Sequence, residues 1–130
     1  MPKFHSLKIQ EIRKETDECV SVSFEVPTDL KGDYEFLAGQ YLTLKTQING
    51  EEIRRSYSIC ASPSEDELRV AVKKLEGGRF STFANEQLSA GDWVDVMTPT
   101  GNFYTKLNPE NQKHYIAFAA GSGITPVISI

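Results

Sequence analysis

Apolar residues at every second position constrain this chain more than any other feature. Val20, Val22, Phe24 and Val26 alternate with Ser21, Ser23 and Glu25, and Leu42 and Leu44 alternate with Thr43 and Lys45. Leu68, Val70 and Val72 alternate in the same way with Arg69, Ala71 and Lys73. Successive side chains of an extended backbone point to opposite faces, so each run predicts a strand with one dry face. Between Leu44 and Ser58 lies Asn49-Gly50, the dipeptide best suited to the positive φ angles of a tight hairpin, and antiparallel strands are expected on both sides of it. Consecutive strands with short polar connections predict an all-β chain, a closed or nearly closed antiparallel barrel.

One segment departs from this rhythm. Phe80, Phe83, Ala84 and Leu88 share a helix face, which predicts a short helix from about Arg79 to Leu88, with glycines before it and Gly91 after it. Further on, Tyr115 to Ala120 is nearly all apolar, as in a strand buried on both faces of a parallel sheet. Gly121-Ser122-Gly123-Ile124-Thr125-Pro126 follows, a glycine turn able to admit a pyrophosphate at a helix start. Asn108-Pro109-Glu110-Asn111 reads as a linker. The expectation is a barrel domain over residues 1–108, then over 109–130 a linker and the first strand of a truncated α/β nucleotide-binding domain. A lone strand leaves its ladder groups unpaired, so self-association through Tyr115–Ala120 and Val127–Ile130 is expected.

Composition serves mainly to exclude. A length of 130 residues suffices for one domain with a real core. A net charge of -4 gives no long-range attraction for nucleic acid. Cys19 and Cys60 are far apart, and neither has a second thiol or a histidine at ligand spacing, so both are expected reduced and buried, with no metal site. His5 and His114 likewise stand without ligand partners, and Trp93 is expected to pack at a strand start. With no apolar signal core and no run of about 18 apolar residues, a cytoplasmic location away from membranes is expected.

Two segments carry residues suited to a ligand. Arg55-Ser56-Tyr57-Ser58 places Arg55 and Tyr57 on one side of a strand, where a guanidinium pairs with a pyrophosphate and a ring covers a flat heterocycle. A serine hydroxyl such as that of Ser58 donates to a ring nitrogen. The plainer alternative is a solvated Arg55 and a barrel-edge Tyr57. Gly77-Gly78-Arg79-Phe80-Ser81 is a bare turn opening a helix, whose unpaired N–H groups suit an anion. Here too a plainer role is open, with Ser81 as N-cap and Phe80 as core.

In combination these motifs resemble the flavin domain of the ferredoxin–NADP reductase superfamily, with its Arg-x-Tyr-Ser and Gly-Gly-x-x-Ser patterns. Ala38-Gly39-Gln40-Tyr41 and Gly101-Asn102-Phe103 extend the likeness, while Ala38 and Thr98 depart from the family's usual proline and glycine. The segments Phe4–Leu7, Gly50–Cys60 and Ala71–Ser81 are most similar to reductases that serve phenylacetate breakdown.

The resemblance implies a Greek-key barrel that binds FAD. Arg55 would contact the pyrophosphate, Tyr57 would stack on the flavin, and Ser58 would bond near N5. Ser56 belongs to the same motif. The backbone of Ala71, Val72 and Lys73 would line the ring and ribityl chain. Gly77, Gly78, Arg79, Phe80 and Ser81 would hold the phosphates, and Thr125 would lie near nicotinamide and flavin. The intact protein would take hydride from NAD(P)H and pass electrons singly through an iron–sulfur centre to an oxygenase. No cysteine cluster for a [2Fe–2S] centre is present, so that centre is expected only in a missing region, and this chain alone is expected to bind FAD without completing the cycle. The rival expectation is a non-catalytic barrel that binds a protein partner and holds no flavin.

Overall fold

A computed structural model describes residues 3–101 and Glu110. Expectations for Asn102, Phe103, His114, the Tyr115–Ala120 strand, the glycine turn with Thr125 and the apolar tail lie outside the described residues. The strands are β1 (Phe4–Thr16), β2 (Cys19–Glu25), β3 (Tyr41–Ile48), β4 (Glu51–Ser58), β5 (Leu68–Lys73) and β6 (Trp93–Met97), with one α-helix, α1 (Arg79–Glu86). All ladders are antiparallel, in the order β4-β3-β6-β1-β2-β5.

The two outer strands of this sheet meet. Ile59 bridges Val70, and the Cys60 N–H donates to the Arg69 carbonyl at 2.9 Å. The sheet therefore curls into the expected barrel, pairing its edges at one place only. Asn49 and Gly50 turn the β3–β4 hairpin with φ of 52° and 79°, as their side chains permit. The two remote glycine motifs also meet, since Tyr41 bridges Thr100 and a Cβ on Gly101 would come within 2.9 Å of the Tyr41 ring. Two short 3-10 helices, Thr28–Tyr34 and Pro63–Glu65, escape the alternation pattern. The first carries Tyr34 into the core, where its hydroxyl donates to the Val96 carbonyl at 2.6 Å.

The inward positions fill the barrel: Leu7, Ile9, Val22, Leu42, Leu44, Ile59, Val70, Val72, Phe80 and Val96 are all buried. The expectation of one dry face fails on β2 and β5. Ser21, Ser23 and Arg69, at the polar positions, are buried as well. The reason is a roof of long side chains on the outer face: Arg69 donates to Ser21 at 2.6 Å, to Glu67 at 2.5 Å and to Glu11. Two further expectations need correction. Trp93 does open β6 but is 62% exposed, and the free thiols of Cys19 and Cys60 are only half-buried.

The Arg69 cluster makes stability depend on acid. The hydrogen bond from Arg69, aided by the charge of Arg13, holds the Glu11 carboxyl below its ordinary value of 4.5. A lowered folded-state pKa contributes stability above the unfolded value and loses it as pH falls through the folded one. Between about pH 5 and pH 3, thermal unfolding of the unmodified chain should therefore fall more steeply than that of Glu11→Gln. Parallel profiles would show that the Glu11 contact carries no linkage.

Candidate functional site

The inward side of β4 is defined by Ile53 and Ile59, both buried, and Arg55 and Tyr57 share that side by strand parity. Yet Arg55 is exposed and Tyr57 half-exposed. This follows from the closure: β4 and β5 pair at Ile59 and Val70 and share no ladder beyond, so the barrel wall is open alongside Tyr57 and Arg55. Helix α1 packs into the opening. Its Phe80 is 1% exposed and tilts against the Tyr57 ring with centroids 5.7 Å apart. The two segments predicted to act together are thus in contact.

The turn before α1 is built by Ser81. Its buried hydroxyl accepts the Leu75 N–H at 3.0 Å and lies 3.4 Å from the Gly78 carbonyl, while the Gly78 N–H donates to the Leu75 carbonyl at 2.9 Å. Gly77 takes φ of 75°. A Cβ on Gly78 would fall 2.5 Å from Ser81 Oγ, so only glycine lets this turn close. The first helical bond runs from the Thr82 N–H to the Gly78 carbonyl at 3.1 Å. The N–H groups of Arg79, Phe80 and Ser81 precede it, without acceptors within the helix. They sit at the positive end of the helix dipole.

The cations around the opening differ in what they hold. Lys74 pairs with Glu86 at 2.9 Å, and Arg79 pairs with Glu51 at 2.6 Å and reaches the Ile48 carbonyl at 3.4 Å. Arg55 donates only to its neighbour's carbonyl, Arg54 O, at 2.6 Å and has no acidic partner among the described residues. Burial pushes the Tyr57 hydroxyl above its usual range, with the charge of Arg55 pulling it part-way back, so the ring is a neutral phenol at physiological pH. Ser56 shares a hydrogen bond of 2.8 Å with Thr43 on the outer face. Ser58 is half-buried, and its hydroxyl has no protein partner among the described residues.

On β5 the backbone alternates as well. The Arg69 carbonyl serves Cys60 on the β4 side, and the Lys74 N–H serves Glu18 on the β2 side. The same alternation turns the backbone groups of Ala71 and Lys73 toward β4, at the place where pairing stops. Val72 differs from its neighbours. Its side chain is fully buried and its carbonyl accepts from Asn85 at 3.1 Å, so it belongs to the wall rather than to the open face.

These parts stand together beside the opening: a flat aromatic, a guanidinium with no acidic partner among the described residues, and a glycine turn presenting N–H groups. A separate cavity of about 620 Å³, lined by Phe24, Val26, Tyr34, Phe36 and Glu67 among others, includes none of them.

Residues 6–104 match the family model for the oxidoreductase FAD-binding domain. The chain belongs to that family. It is 48% identical over its whole length to a component of the 1,2-phenylacetyl-CoA epoxidase of Escherichia coli strain K12, covering 36% of that protein. It is also 35% identical to a flavohemoprotein of Pseudomonas aeruginosa, with 89% of this chain and 28% of that protein aligned. Phthalate dioxygenase reductase, described as a modular structure for electron transfer from pyridine nucleotides to [2Fe-2S], superposes with a TM-score of 0.79 at 32% identity, over 97% of this chain and 38% of that one. The chain thus spans about a third of the length of the curated relatives it matches. FAD is the family's cofactor, and the residues beside the opening fit it: the start of α1 offers N–H groups without acceptors within the helix, and Arg55 offers a charge with no acidic partner among the described residues.

Sequence reasoning missed Asn85 and Glu51, which reach the site from the far turn of α1 and from the hairpin. The nearest signal was chain position, since Glu51 follows the Asn49-Gly50 turn and Asn85 lies one turn beyond Ser81.

Proposed function

We propose that this chain is the flavin-holding part of a cytoplasmic NAD(P)H-dependent oxidoreductase that passes electrons toward an iron–sulfur centre and an oxygenase in phenylacetate breakdown. The single observation that carries the flavin site is the contact of Tyr57 with Phe80, which joins the Arg55–Ser58 strand to the Gly77–Ser81 turn. In this reading Arg55 pairs with the pyrophosphate, in two parallel bonds where geometry allows. The N–H groups at the start of α1 hold the other phosphate oxygens. Tyr57, braced by Phe80, covers the ring system, and the Ser58 hydroxyl, without a partner among the described residues, donates near N5. Ala71 and Lys73 line the flavin with backbone. Ser81 acts by shaping the turn, and Ser56 by joining β3 to β4.

When bound, FAD would supply the redox chemistry that links a two-electron hydride donor to a one-electron acceptor. The protein groups bind and orient it and exclude water, and none is required as a general base. Residues 1–108 form this domain in the proposal, with the nucleotide-binding domain beginning in 109–130 and Thr125 near the nicotinamide. Electron delivery to an oxygenase rests on likeness to the epoxidase component and the dioxygenase reductase. Among the described residues no helix is long and apolar enough to cross a membrane.

Purified chain is expected to carry flavin absorbance and, after its removal, to gain thermal stability on addition of FAD. At FAD a hundredfold above its Kd the gain is about 2.7 kcal/mol. A colourless chain whose unfolding temperature ignores FAD would leave the barrel as a protein-binding module without flavin.

A further inference from the structure

We propose that Glu51 is a positioning residue for phosphate binding: with Arg79 it clasps the start of α1 to the β3–β4 hairpin and so holds the Gly77–Ser81 turn against the strand that bears Arg55. This rests on the flavin-binding reading of the same site.

The observations are local and mutually consistent. Glu51 opens β4 opposite Ile48, the last residue of β3. Arg79 is the first residue of α1, and its guanidinium reaches both strands where they flank the hairpin turn, the Glu51 carboxylate at 2.6 Å and the Ile48 carbonyl at 3.4 Å. A guanidinium has its donors in a fixed planar fork, so two acceptors define its place where one would not. Glu51 shares strand parity with Arg55 and Tyr57. The α1 start therefore touches the same side of β4 twice, through Arg79 at Glu51 and through Phe80 at Tyr57. At its other end the helix is tied to β5 through Asn85 on the Val72 carbonyl, and to Lys74, just past that strand, through Glu86.

Two consequences follow for the anion. Arg79, with its charge matched by Glu51, contributes its backbone N–H to the phosphate cradle, and Arg55 is left as the cation that pairs with the pyrophosphate. A turn that gains its position from the clasp also loses it when either partner is neutralised. Glu51 and Arg79 then act as one unit.

The test is a double-mutant cycle with Glu51→Gln, Arg79→Gln and the pair together, titrated with FAD, FMN and riboflavin. Each single change should weaken FAD and FMN about fivefold, the range open to an exposed ion pair, and the double change should cost no more than the larger single one. Riboflavin, which has no phosphate, should bind all four proteins alike. Reversing the pair, Glu51→Arg with Arg79→Glu, should recover most of the loss. In flavin-free protein, amide hydrogen exchange across residues 75–81 should quicken in both single variants, with core strands unchanged. Failure of the unmodified chain to bind FAD would end the flavin reading, and exchange alone would then decide the clasp. The clasp is overturned by unchanged exchange in that segment, by additive losses with Arg79→Gln far the larger, by equal losses for riboflavin, or by tighter FAD binding in Glu51→Gln.

Discussion

Arg55→Ala is expected to weaken FAD binding by about one to two orders of magnitude, the equivalent of losing a charged hydrogen-bonding group worth about 1.5–3 kcal/mol. The size follows from how the charges at the site are matched. Arg79 and Lys74 already hold carboxylates, whereas Arg55 has no acidic partner among the described residues and stands beside Tyr57 in the opening of the barrel. Lys73 is also exposed, but its part in the reading is backbone, which Lys73→Ala retains. That variant should change the dissociation constant by less than about threefold, the cost of one screened surface charge. Titration of both proteins by flavin fluorescence checks the difference. Equal losses would show that the cation on β4 has no special place, and an unaffected Arg55→Ala would move the pyrophosphate elsewhere.

Phe80→Ala is expected to cost about 3–5 kcal/mol of folding stability, the usual range for emptying a large aromatic site in a core. Phe80 is 1% exposed, the bulkiest of the fully buried side chains, and touches the rings of both Tyr57 and Phe83. It is also the residue through which α1 packs on the inward side of β4 beside the opening. A midpoint fall of about 12 °C or more in thermal unfolding should result. Phe80→Leu keeps most of the volume and should recover the larger part. Flavin affinity measured on the folded fraction should also drop in Phe80→Ala, because Tyr57 loses its support. A loss below about 1 kcal/mol would place Phe80 outside the core.

Alternation locates β2, β3 and β5 because the core is a barrel interior, where every second side chain meets the same apolar surface. Val22 and Val70 are fully buried for this reason, and the Asn49-Gly50 turn follows from positive φ angles that few other pairs accept. The pattern misleads where a second layer of side chains covers the outer face. Ser21, Ser23 and Arg69 read as wet and are buried, since Glu11 arrives from β1 and Arg69 from β5 to cover that face, contacts the local pattern cannot foresee. Trp93 shows the reverse, an aromatic at a strand start that nothing covers.

At the site the division is similar. Residue types announce which chemistry is available, and the Arg-x-Tyr-Ser strand with a glycine turn before a helix points to a flavin and its phosphates through its resemblance to a known family. Which polar groups remain free is a separate matter, decided by contacts that residue types do not announce. Ser81 reads as a phosphate ligand but commits its hydroxyl to the Leu75 N–H, and Arg79 reads the same way but is matched by Glu51. Val72 reads as lining yet gives its carbonyl to Asn85.

By itself, then, the sequence determined the strand periodicity and the hairpin, because these depend on residue type and short-range spacing, and it pointed to the cofactor class through its resemblance to a flavin-binding family. Only the tertiary structure decided that the barrel closes at Ile59 and Val70 and lies open beside Arg55, and that α1 fills the gap with Phe80 against Tyr57. Periodicity tells which side of a strand a residue faces, but what it meets there is set by the packing of the whole chain.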